Sequence, residues 1–330
     1  MLRLLSTNNP TFILSSIIAS FFIHTIYFFS GKIDFSYPLS YSEPISKFIF
    51  SNLLNTGDAF YPILMISGAL LQIICAVTIN QTINEFKISS KRAYIAALVF
   101  VLVSSLNPQW LILSPQLISL TLWFMLFYRI LVLSKQESFY RVLFDIGFIA
   151  ALAMFTYLPS SFFIVFLFPA LYSVRPYNFK ESLRVIIGLV TPLYIILSIY
   201  FLNDSLPLLL HDILNTANLS MLNKAIFNTN FSPYIYFIAG WLLISTIVFA
   251  LIPVSLSLKT RNVSTLLIFH TILAILFFFI PTYFHISHFI LTVPLITVYL
   301  SIFFLDYKGS FLPNVIFVLL SIFTLIPLLL

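Results

Sequence analysis

Acidic and imidazole side chains are scarce in this 330-residue chain: ten Asp and Glu and five His in all. Each can therefore be weighed by itself. Asp34, Glu43 and Asp58 fall in one polar stretch, 31–60, between two strongly apolar segments. A carboxylate beside a bilayer can take the proton of an acceptor hydroxyl, or hold a divalent cation that bridges a phosphate leaving group. The same three residues also read as solvated loop charges that pair with Lys32 or Lys47. Asp34 stands apart because it lies four residues past the first apolar segment.

Two further groups could meet a phosphate or a sugar headgroup. His211 and Asp212 fall on the polar side of an amphipathic pattern, where they contact such a group or simply face water. His285 and His288, in Phe284-His-Ile-Ser-His-Phe289, have the spacing of three that puts both on one helical face. Such a pair suits a metal or an anionic phosphate, but a tetrahedral metal site needs further ligands. An interfacial pair bonded to water and backbone accounts for the same spacing. His24 and His270 each sit alone in an apolar segment and are expected to bond a neighbouring helix. Arg141 and Asp145, four apart, are expected to form a local ion pair, with Arg129 close by at the end of the preceding segment. The chain carries no P-loop, no glycine-rich nucleotide loop, no HExxH and no histidine set able to ligate haem. Cys75, the only cysteine, can form neither an internal disulfide nor a cysteine metal site.

The elements that must position these residues follow from composition. The chain is 61% hydrophobic and 8% charged, whereas a soluble domain carries roughly 25% charged residues. So much apolar side chain exceeds what one interior of this size can hold, and the excess must face lipid. The expectation is an all-α polytopic transmembrane helical bundle, a single membrane domain over 1–330. A bilayer core of about 30 Å takes about 20 apolar residues per helix. On that measure about eleven spans are predicted, near 11–30, 60–80, 93–112, 114–133, 142–158, 161–175, 185–203, 232–257, 265–283, 287–305 and 311–330. The first is too long for a signal-peptide core and no small-x-small site follows it, so it reads as a retained helix.

Basic residues set the orientation. One side receives Arg3, Lys87, Lys91, Arg92, Arg129, Lys135, Arg141, Arg175, Lys180, Arg184, Lys259, Arg261 and Lys308; the other receives only Lys32, Lys47 and Lys224. By the positive-inside rule the first set is cytoplasmic, with the N-terminus in and the C-terminus out. The net charge of +6 is spread over these short clusters, which argues against a nucleic-acid partner. Two outer loops, 31–60 and 204–231, contain amphipathic pieces. Ile45, Phe48, Ile49 and Leu53 share one helical face opposite Lys47, Ser51 and Asn55. Leu206, Leu209, Leu210, Ile213, Leu214, Ala217 and Met221 form a stripe opposite His211, Asp212, Asn215 and Asn218. Both patterns suit helices lying in the membrane interface.

This layout resembles the GT-C superfamily of membrane glycosyltransferases: a first helix, a long outer loop with acidic residues and interfacial helices, then many helices joined by short hairpins. Ser105-Leu-Asn-Pro108 and Leu113-Ser-Pro-Gln116 look like the outer hairpin of such enzymes, one helix ending at a Pro and the next starting at Ser-Pro. The segment His288 to Leu300 is similar to their late helix after a headgroup contact. The chain more closely resembles an uncharacterised family of bacterial polytopic inner-membrane proteins. That likeness rests on the same Asn-Pro and Ser-Pro pair, Phe144-Asp-Ile-Gly-Phe148, Tyr157-Leu-Pro159 and Arg175-Pro-Tyr-Asn-Phe-Lys-Glu181. The GT-C resemblance implies a polyprenyl-phosphate-linked sugar as donor, a divalent cation as candidate cofactor, and an acidic residue of the first outer loop as base or metal ligand. That role maps to Asp34, with Glu43 and Asp58 in reserve. Two other classes stay open: a non-catalytic membrane subunit of an envelope secretion, motility or polysaccharide-export assembly, docking partners through loops such as Arg175–Arg184, and a transporter or lipid flippase.

Overall fold

The computed structural model describes residues 11–35, 46, 50, 60–89, 94–133, 140–165, 167–174, 178–207, 209–211, 240, 243, 247, 265–272, 274, 286–307 and 311–324. Among these, every regular element is helical: α1 (Thr11–Ser30), α2 (Tyr61–Glu85), α3 (Ile95–Ser104), α4 (Pro115–Val132), α5 (Tyr140–Thr156), α6 (Phe162–Val165), α7 (Leu167–Val174), α8 (Phe179–Leu202), α9 (Val293–Asp306) and α10 (Phe311–Phe323). Short 3-10 turns cover Pro108–Trp110, Leu158–Ser161 and Ile286–Thr292.

Five of these segments are long and apolar enough to cross a membrane: Ile13–Ser30, Tyr61–Glu85, Pro115–Val132, Phe179–Leu202 and Phe289–Asp306. An all-helical chain with five such segments has the make-up of a membrane protein. All but residues 240, 243 and 247 of the predicted span at 232–257, and much of that at 265–283, lie outside the described residues.

The helix ends have local causes. α1 stops at Gly31, whose φ of 66° is the left-handed conformation glycine adopts without a Cβ penalty. α2 runs about 37 Å at 1.5 Å per residue. It closes on Lys87, also left-handed at φ 51°, with Ile88 N–H donating to the Ile83 carbonyl at 3.0 Å in the 6→1 bond of a Schellman motif. α8 starts on a reciprocal cap, in which Asn178 and Glu181 each satisfy the other's backbone N–H.

The predicted span 93–112 folds differently. Its helix, α3, ends at Ser104 after about 15 Å, and 105–114 continues as a loop enclosed by protein. Pro108 forbids the helix to run on: it has no N–H, and it drives Asn107 into an extended conformation at φ −126°, ψ 125°. Non-helical backbone in a membrane protein must find its partners inside the protein. Here the Asn107 side chain accepts from Gln109 N–H at 3.0 Å, Leu113 N–H donates to the Leu64 carbonyl of α2 at 3.1 Å, and His24 of α1 reaches the Leu111 carbonyl at 3.0 Å. Gly68 of α2 makes the approach possible, since a Cβ there would strike the Leu111 carbonyl. α4 then starts at Ser114-Pro115, Ser114 Oγ accepting from Leu117 N–H at 3.3 Å. This is the Ser-Pro helix start expected from the sequence.

Packing runs from α1 through α2 to α3 and α9 on one side, and from α2 through α4 and α5 to α8 on the other. α9 is the central helix, with nearly every residue buried. α8 is the opposite: Phe179, Ile187, Tyr194 and Leu202 are each more than half exposed, an apolar face that suits lipid contact. α5 and α8 cross where Gly147 meets Gly188, and a Cβ on either would run into backbone of the other helix. At one end of that pair the Arg184 guanidinium lies 3.4 Å from the centroid of the Tyr140 ring.

Candidate functional site

The segment that leaves α1 turns a sharp corner and is pinned there. Ile33 and Phe35 face inward while Lys32 and Asp34 are exposed, the alternation of an extended backbone. Phe35 stacks on Tyr61 of α2, ring centroids 4.4 Å apart, and takes an edge contact from Phe28 of α1 at 6.2 Å. Between these anchors the backbone of Asp34 is gripped by one side chain, Gln109. With the amide oriented as its surroundings require, its NH2 donates to the Asp34 carbonyl at 3.2 Å and its oxygen accepts from the Asp34 N–H at 2.9 Å. Gln109 is itself fixed by the Asn107-Pro108 turn. An exposed carboxylate at the tip of the bundle, on a main chain held by a paired hydrogen bond and an aromatic stack, can accept a proton or ligate a cation on that surface.

Beneath this corner lies a polar chain through the helices. Ser20 of α1 bonds the Gln72 amide oxygen of α2. Gln72 Nε2 donates to Ser104 Oγ at the end of α3 at 2.6 Å, and Ser104 Oγ donates to the Phe100 carbonyl at 2.7 Å. One turn along α1, His24 places its two ring nitrogens 2.7 Å from the Ser20 carbonyl and 3.0 Å from the Leu111 carbonyl. A neutral imidazole has one N–H, so only the doubly protonated ring donates to both. As expected from sequence, His24 is buried and bonds a neighbouring segment. The surrounding network of Ser20, Gln72 and Ser104 is what sequence reasoning missed, and its only signal was the presence of polar residues inside apolar spans.

The remaining candidates are placed as follows. Glu43, Asp58, Asp212 and His285 lie outside the described residues. His288 belongs to the 3-10 turn Ile286–Thr292, its side chain likewise outside what is described. His211 is exposed, as is Leu210 beside it, while Leu209 is buried; the rest of that predicted stripe from Ile213 on lies outside the described residues. Between α1 and α2, Ser46 and Phe50 are helical and buried, with Ser46 Oγ donating to the Thr156 carbonyl at the end of α5. Asp145 pairs with Arg129 of α4 at 3.8 Å and not with Arg141 on its own helix, because α4 and α5 pack side by side. Among the described residues no group of three or more His, Cys, Asp or Glu could hold a metal ion.

Compared with known proteins, the chain matches no protein-family model, no curated protein and no solved structure.

Proposed function

We propose that the chain is a GT-C-like protein of the bacterial inner membrane that transfers a sugar from a polyprenyl-phosphate carrier at the outer face. On this reading it crosses the bilayer about eleven times, N-terminus in and C-terminus out, a topology supported by the thirteen-to-three split of basic residues. Asp34 is the base toward the acceptor hydroxyl, or a ligand of a divalent cation with Glu43 or Asp58. His285, His288, His211 and Asp212 meet the phosphate or sugar headgroup. The observation that carries the reading is the grip of Gln109 on Asp34: of the described residues singled out for chemistry, Asp34 is an exposed acid on a main chain fixed from two sides. Exposed loop charges that merely aid solubility need no such fixing.

The test is a deletion strain whose surface glycans and lipid-linked sugars are profiled by mass spectrometry, complemented with wild type or Asp34→Asn. A sugar that disappears and returns only with wild type supports the transferase. An unchanged profile, or full rescue by an Asp34→Asn protein that inserts normally, replaces it with a non-catalytic subunit of an envelope assembly. That subunit would fail when the basic loop Arg175–Arg184 is altered.

A further inference from the structure

α5 and α8 run parallel, since Gly147 lies against 185–189 and Gly188 against 144–148. Their first turns therefore share one end of the bundle. Three cations stand there: Arg184, half-buried, with Arg141 and Lys180, both exposed and each the second residue of its helix.

Among the described residues no acid balances them. Glu181 is buried, and its carboxylate accepts from the Asn178 N–H at 3.2 Å. Asp145 pairs with Arg129 of α4. Arg184 has no ion pair among the described residues, and its shielded Nη1 has no hydrogen-bond partner there. What holds it is the Tyr140 ring, whose centroid lies 3.4 Å from the guanidinium carbon. A guanidinium stacked on an aromatic face keeps its fork of N–H donors at the edge, where a phosphate can take two of them at once.

The surface beside this charge is apolar. Phe179, Leu183 and Ile187 of α8 are exposed, and the half-buried rings of Phe144 and Phe148 stack along α5 with centroids 6.0 Å apart. A ligand that fits both features has an anionic head and a long apolar body. A soluble anion would meet the charge and leave the apolar faces unused. We propose that the first turns of α5 and α8 bind an anionic phospholipid, its phosphate on Arg184 with Lys180 and Arg141 alongside, its acyl chains against Phe148 and Ile187. The site is separate from Asp34. The far end of α5, at Thr156, is the one that meets Ser46 between α1 and α2, and the 17 residues of that helix span about 25 Å. Neither inference depends on the other.

The test titrates phosphatidylglycerol into the delipidated full chain in detergent and follows bound lipid by native mass spectrometry, with phosphatidylcholine and inorganic phosphate as comparison ligands. Phosphatidylglycerol is expected to bind about tenfold more tightly than phosphatidylcholine. Arg184→Gln should weaken it about tenfold, the worth of one charge-assisted hydrogen bond, and Lys180→Gln about fivefold. Lys87→Gln, which removes a cation just past the end of α2, should leave the affinity where it was. Lys180 is exposed, so its variant carries the test should Arg184→Gln fail to fold. Unchanged affinity in either site variant, or an equal loss in Lys87→Gln, overturns the site. Equal binding of the two phospholipids overturns the anionic head, and displacement of the lipid by millimolar inorganic phosphate overturns the lipid in favour of a soluble anion.

Discussion

Gln109 holds Asp34 by its main chain, so removing the clamp and removing the carboxylate are different experiments. Gln109→Ala gives up two hydrogen bonds at a partly exposed corner, costing about 1 kcal/mol of stability, and lets the Asp34 backbone move. In the complementation strain it is expected to restore the missing sugar only in part, where Asp34→Asn restores none; full restoration would show that the clamp has no bearing on function. His24→Phe belongs to a different layer. It leaves the enclosed Ser20 and Leu111 carbonyls without the ring that meets them both, and the thermal midpoint in detergent should fall by the equivalent of roughly 1–3 kcal/mol. The Arg129–Asp145 pair is expected to matter least. Both side chains are about 40% exposed, and such pairs contribute about 0–1 kcal/mol. Arg129→Gln should leave the midpoint where it was, and a clear drop would mean that the pair is drier than its exposure indicates.

Among the elements, the α5–α8 crossing is the most exacting. Gly147 and Gly188 face each other across it, and neither can carry a Cβ while the backbones stay where they are. Gly188→Ala must push the two helices apart, at a cost of about 1–3 kcal/mol for overpacking, read as a lowered unfolding midpoint. Gly31 provides the control. Nothing lies within 4 Å of a Cβ there, so Gly31→Ala carries only the left-handed backbone penalty of about 1 kcal/mol. Equal losses at the two sites would argue against tight helix contact. The loop 105–114 shows the converse economy. α3 stops halfway and the chain still crosses buried space, because α1 and α2 supply hydrogen-bond partners for its free backbone groups.

For the whole molecule, the testable property is orientation. With Cys75 replaced by Ser, a single cysteine at position 34 should react with a membrane-impermeant maleimide added to intact spheroplasts. One at position 180 should react only after lysis. Reversal of that pattern would move Asp34 to the cytoplasmic face and remove the basis for an outer-face transferase. Burial points to the same division of labour within the bundle. α9 is enclosed by its neighbours while α8 presents an apolar side outward, so substitutions to polar residues should be least tolerated in α9 and tolerated in α8 only near its ends.

Much of this was legible along the chain. Composition alone required helices that face lipid, because 8% charged residues cannot cover a soluble surface. Runs of apolar residues located α1 and α4 to within one position and α2 and α8 to within about six, since length and hydropathy are local properties. Asn107-Pro108 and Ser114-Pro115 marked a helix end and a helix start for equally local reasons, and Asp34 was visible as an acid just past a span. What tertiary structure decided is which distant residues meet. Nothing in the neighbourhood of Gln109 says that it will grip a residue 75 positions earlier. Ser20, Gln72 and Ser104 form one chain only because α1, α2 and α3 pack together, and Asp145 finds Arg129 in place of Arg141 because α4 lies alongside. Arg184 comes to lie over the Tyr140 ring for the same reason. Local sequence fixes where a helix runs and how greasy it is. Which of its polar groups find partners depends on the three-dimensional arrangement of helices, where a rotation of one residue, about 100°, exchanges a buried face for an exposed one.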